Sequence, residues 1–119
     1  MIRAVQLSGA EILSQIGLKR TVTKRGFRCA PRSHERAMSL LLGQWDVDWA
    51  VRTAFGREPT AQDAVRYSTA ERLTNAGFQL IHDQTPYQAH VSVQFEGEWT
   101  EEVCEAFHAC FSDSGDEDG

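Results

Sequence analysis

Apolar residues recur along the chain at two spacings, and each spacing names an element. Val47, Ala50, Val51, Ala54 and Phe55 fall at i, i+3, i+4, i+7 and i+8, the stripe of a helix with one buried face. Asp46 precedes it as an N-cap and Gly56 follows as a helix stop. Farther on, Ala89, Val91, Val93 and Phe95 alternate with His90, Ser92 and Gln94, the period-two pattern of a strand buried on one side. Residues 78–82 read as its partner, with a turn over 84–88, so the pattern predicts a hairpin over 78–95. Thr100 then caps a closing helix. Glu101 and Glu102 suit the positive end of that helix, and Val103, Ala106, Phe107, Cys110 and Phe111 share one of its sides.

The remaining stretches are less periodic. Thr60, after Pro59 and three residues before Asp63, predicts the start of a helix that carries Ala64, Val65, Leu73 and Ala76 to a stop at Gly77. Near the N-terminus residues 2–7 read as extended. Ser8 and Glu11 have capping-box spacing ahead of Ile12, Leu13 and Ile16, which predicts two helical turns ending at Gly17. Thr21, Val22 and Thr23 and the stretch 27–30 flank Lys24-Arg25-Gly26, a basic hairpin over 19–30 that Pro31 closes. Ser33 is placed to cap a further helix through Ala37, Met38, Leu40, Leu41 and Leu42, apolar on more than one side and ended by Gly43.

The expected class is therefore α+β: a small antiparallel sheet made of hairpins 19–30 and 78–95, packed against about five short helices. With 119 residues the chain reads as one domain over 1–111, long enough to remove roughly two-thirds of its unfolded surface from water. The end, 112–119, is acidic and has nothing to bury, so it is expected to be disordered.

Charge changes this picture because it is unevenly placed. Residues 1–37 hold eight Lys or Arg against two acidic residues, whereas residues 38–119 hold four against fifteen, for a net charge of −5 over the chain. The basic segment 19–36 is a candidate surface for phosphate, with Lys19, Arg20, Lys24, Arg25, Arg28 and Arg32 as contacts and Phe27 beside them to stack on a base. Against that stands an overall pI near 5.3, where nucleic-acid binders usually read basic. Three cysteines (Cys29, Cys104, Cys110) are too few for a disulfide scaffold and imply a reducing, cytoplasmic setting. No run approaches the ~20 apolar residues of a membrane span.

Several short motifs bear on chemistry. Gly56-Arg57-Glu58-Pro59-Thr60 resembles the turn between helices in bacterial sigma factors, but an alternative recognition helix opening Asp46-Val47-Asp48 would bring carboxylates to phosphates. His90-Val91-Ser92-Val93 resembles one half of the paired motif of two-histidine phosphoesterases; a second copy is absent. His82-Asp83 matches the dipeptide of HD phosphohydrolases, which sits on helices rather than in a strand. Cys104 and His108 lie one helical turn apart, yet two ligands do not make a zinc site, so no metal and no cofactor are expected. No Ser or Cys nucleophile stands in a recognisable context.

Read this way, the sequence describes a non-catalytic interaction or regulatory module that binds another macromolecule, above all a protein, of the kind found as small accessory or inhibitory proteins in bacteria and phage. Trp45, Trp49 and Phe27 are its candidate contacts. Two alternatives stand beside it: nucleic-acid binding through 19–36, and a small enzyme with His90 as general base beside Asp83 or Glu96.

Overall fold

The computed structural model describes residues 8–19, 27–31, 37–84 and 87–111. They form a five-stranded antiparallel sheet with three helices, in the order β1 (Ile12–Leu18), β2 (Met38–Leu42), α1 (Val47–Phe55), β3 (Asp63–Thr69), α2 (Ala70–Asn75), β4 (Phe78–Ile81), β5 (His90–Phe95) and α3 (Glu101–Ala109). The strand order across the sheet is β3-β1-β2-β5-β4. The α+β class holds, and the expected number of helices is reduced to three among the described residues.

Three predicted elements have the sites expected of them. Asp46 Oδ1 accepts from Trp49 N at 2.9 Å and caps α1, and Gly56 ends it at φ 67°, in the left-handed region where a side chain is strained. β4 and β5 pair from Phe78↔Phe95 to Ile81↔Ser92. Thr100 Oγ1 accepts from Val103 N at the start of α3.

Three others change type. Residues 12–18 are a strand, not two helical turns: Ser8 folds into a local turn that accepts from Ala10 N and Glu11 N, and β1 then pairs on both sides, with β2 and β3. The run Met38–Leu42 is likewise a strand. Its apolar residues face both ways: Met38 and Leu40 are buried in the core under α2 and α3, and Leu41 is buried on the reverse, beside the exposed Ser39. Residues 63–69 form β3, where Val65, Tyr67 and Thr69 alternate with Arg66 and Ser68, and only residues 70–75 are helical. Thr60 and Asp63 still close a turn, with Asp63 Oδ2 accepting from Thr60 N at 2.7 Å, but it introduces a strand. The expected hairpin 19–30 is not formed by its described part. Residues 27–30 are not in a strand, and 20–26 lie outside the described residues, as do 112–119.

Helices α2 and α3 cover one face of the sheet. There Leu13, Met38, Leu40, Leu73, Val91, Val93 and Phe107 are buried, each contributing on the order of 1.5–3 kcal/mol. Phe78 lies at 5.4 Å from Trp99 and 5.5 Å from Phe107, and Phe111 at 5.0 Å from Phe107, an aromatic layer at the spacing and tilt that ring quadrupoles favour. A disulfide joins Cys29 to Cys104 and so ties the segment 27–31 to α3, which corrects the expectation of free thiols; Cys110 is the free cysteine. The opposite face is different. Helix α1 covers β1 and β3, where Ala50 and Val51 are fully buried, while the β2-β5-β4 half keeps the polar residues of β5 on its surface.

Candidate catalytic site

The uncovered half of the sheet carries a line of hydrogen-bonded side chains. On β5, His90 and Ser92 are two residues apart and therefore point the same way. β2 pairs with β5 at Ser39↔Ser92 and Leu41↔His90, which puts Ser39 on that face, diagonal to His90. Continuing the β4–β5 register past Ile81↔Ser92 brings Asp83 opposite His90. Asp83 Oδ1 accepts from His90 Nδ1 at 2.6 Å, Asp83 Oδ2 accepts from Ser92 Oγ at 2.7 Å, and His90 Nε2 lies 3.0 Å from Ser39 Oγ. With Nδ1–H committed to the carboxylate, Nε2 is the ring nitrogen that faces the Ser39 hydroxyl.

Local structure holds these groups still. His90 is buried, 7% exposed, and Tyr87 stands edge-on to its ring at 5.3 Å between centroids. The backbone N–H of His90 donates to Tyr87 O at 3.0 Å. Gln84, which follows Asp83, takes a φ of 61°, the left-handed region that a non-glycine residue enters only where its surroundings hold it. Burial works against ionisation of Asp83, but the hydrogen bonds from His90 and Ser92, together with the attraction of His90, outweigh it and leave its pKa below the ordinary carboxylate value. Burial and the Asp83 charge push the Tyr87 phenol up to about 12, so it stays protonated at neutral pH.

Ser39 also borders a cavity of about 300 Å³, lined by Gln15, Ile16, Arg28, Ala37, Met38, Leu41, Ala54, Phe55 and Tyr87. Its position follows from the sheet. β1 and β2 pair at Leu13↔Leu42 and Ser14↔Leu41, where their registered ladder ends. Leu42 N donates to Ala89 O, toward β5, and Gly43 N to Ile12 O, toward β1. By antiparallel alternation the backbone N–H of Ser39 then points toward β1, into the widening gap that the cavity occupies.

The residues singled out from sequence are scattered. Trp49 is 62% exposed on α1, together with Phe55 at 55%. Trp45 is half-buried and tied into the β1–β2 junction: its Nε1 donates to Leu42 O at 2.8 Å, its N to Ser14 Oγ, and its carbonyl accepts from Tyr67 OH at 2.6 Å. A Cβ at Gly43, whose φ is 116°, would stand 3.0 Å from Trp45 Nε1, so that junction requires glycine. Phe27 is buried, a correction to its reading as a surface contact. It packs under the Arg66 guanidinium at 4.6 Å, with Phe111 at 4.4 Å from the same group. Of the basic segment, Lys19 is exposed and Arg28 reaches the cavity, while Arg20, Lys24, Arg25 and Arg32 lie outside the described residues. Cys104 is bonded to Cys29, and His108 Nδ1 meets Arg66 Nη1 at 2.9 Å, so these two do not converge on a common point. Ser39 is the member of this network that the sequence did not mark; a strand reading of 38–42, with Ser between Met38 and Leu40, is the signal that points to it.

Comparison of the chain with protein-family models, with characterised proteins and with solved structures finds no match.

Proposed function

We propose that the protein is a small hydrolase of the acyl-transfer class, with Ser39 as nucleophile, His90 as general base and Asp83 as the group that orients His90. The observation that carries this reading is the unbroken sequence of contacts from Asp83 through both ring nitrogens of His90 to Ser39 Oγ, at 2.6 and 3.0 Å, beside a cavity. Such a constellation is recognised by geometry and roles rather than by fold or chain order. Ser39 Oγ attacks an acyl carbon as its proton passes to His90 Nε2. Asp83 stabilises the resulting imidazolium, the leaving group departs with that proton, and water then cleaves the acyl-serine by the same path in reverse. The inward N–H of Ser39 is a donor for the tetrahedral oxyanion. This makes the general-base role of His90 primary and pairs it with Asp83; Glu96 is exposed after the end of β5.

A fluorophosphonate probe, which bonds to an activated serine oxygen with loss of fluoride, tests the reading directly. Labelling is expected on Ser39 and absent in Ser39→Ala and His90→Ala, and Ser39→Ala is expected to lower p-nitrophenyl acetate hydrolysis by roughly 10³-fold or more. Labelling that persists in Ser39→Ala, or none in the native protein, would remove it.

A second reading has its own observation. Trp49 and Phe55, large and exposed on α1, suit a protein partner, since aromatic residues are enriched at interface centres. Trp49→Ala would weaken capture of such a partner and leave the Ser39 chemistry unchanged. The Cys29–Cys104 bridge weighs against a cytoplasmic setting, where thiols are kept reduced. Among the described residues no helix is long and apolar enough to cross a membrane.

A further inference from the structure

We propose that the cavity beside Ser39 selects short acyl groups that end in a carboxylate, with Arg28 as their counter-ion. The inference rests on the hydrolase reading and adds a substrate class to it. About 300 Å³ gives room on the order of ten non-hydrogen atoms, enough for a short acyl chain. Among the described residues that line it, Arg28 is the charged one; Tyr87 stays protonated, and Ile16, Leu41, Ala54 and Phe55 supply apolar wall. The Arg28 backbone is fixed at that wall, because its carbonyl accepts from Gln15 Nε2 at 2.6 Å, and Gln15 is itself held by Arg66 Nε at 2.7 Å. A carbonyl carbon at Ser39 Oγ therefore leaves the rest of the acyl group in a space whose described lining holds one cationic side chain and no anionic one. The C-terminal turn of α1 also borders the cavity and opposes an anion, but its end carries only about half a charge against the whole charge of Arg28.

The experiment compares two aryl esters, p-nitrophenyl acetate and the mono-p-nitrophenyl ester of glutaric acid, on the native protein and on Arg28→Gln. The native protein is expected to prefer the glutarate ester roughly five- to tenfold in kcat/KM, because Arg28 is exposed and partly screened, with the preference falling as salt rises. In Arg28→Gln the ratio should collapse to about unity. A native protein without preference, or a preference that Arg28→Gln retains, overturns the substrate class and leaves the hydrolase reading standing. Should neither ester be cleaved in a Ser39-dependent way, the hydrolase reading fails, and calorimetric titration with free glutarate decides the rest. Binding that Ser39→Ala keeps and Arg28→Gln loses supports a carboxylate site; no binding to the native protein overturns it.

Discussion

The two faces of one sheet are built to opposite rules. Under α2 and α3 the strands present Leu13, Leu40, Val91 and Val93 to a sealed aromatic layer, tied at one side by the Cys29–Cys104 bridge. On the reverse, β5 turns His90, Ser92 and Gln94 outward, and α1 stops short of them. Alternate residues of β5 thus serve the two faces, Val91 and Val93 in the core and His90 and Ser92 in the hydrogen-bonded row. In the proposed hydrolase, stability and reactivity are separated by the pleat of the sheet rather than by distance, and substitutions on adjacent residues should differ in kind.

The sharpest test of that separation is in the sealed layer. Phe107→Ala, at a fully buried ring packed on Phe78 and Phe111, should cost about 3–5 kcal/mol in urea unfolding. Asp63→Ala, on the α1 side, should cost about 2 kcal/mol at neutral pH, because it leaves Thr60 N–H without its acceptor and takes the paired carboxylate from Arg57, which keeps its bond to the Glu58 carbonyl. That loss depends on pH. The hydrogen bonds from Arg57 lead in holding the Asp63 carboxyl at about 2 against an ordinary 3.8. A lowered native pKa stabilises the fold above the unfolded value, so the gap between native and variant should be constant above about pH 4 and close as pH falls toward 2. Loss of the α3 cap in Thr100→Ala should cost about 1 kcal/mol. Smallest of all, Ser39→Ala on an exposed side chain should move unfolding by no more than ~0.5 kcal/mol while removing activity; a large destabilisation would show that the outward row serves the fold as well.

The elements that could be read from sequence are those with one wet face. α1, α3 and the β4–β5 hairpin each alternate apolar and polar positions, and their caps at Asp46, Gly56 and Thr100 are local chemistry. β1 and β2 lie inside the sheet, where Ile12-Leu13 and Leu40-Leu41-Leu42 put apolar residues on both faces, and a short apolar run of that kind has no period to tell strand from helix. β3 misled for another reason: Thr60 and Asp63 form a turn that looks like a helix start. Half of the candidate site was visible on the same principle. His90 and Asp83 belong to the legible hairpin, whereas Ser39 joins them only through the β2–β5 register, a pairing across some fifty positions of chain that no local pattern encodes.

Thr69 is both the last rung of β3 and the N-cap of α2, its hydroxyl accepting from Arg72 N, so strand passes into helix with no slack between. One residue inserted at that junction would turn α2 by about 100° about its axis and swing Leu73 out of the sealed layer. The joint behaves as a keyed shaft, and length changes in related chains should be found on either side of it and not within.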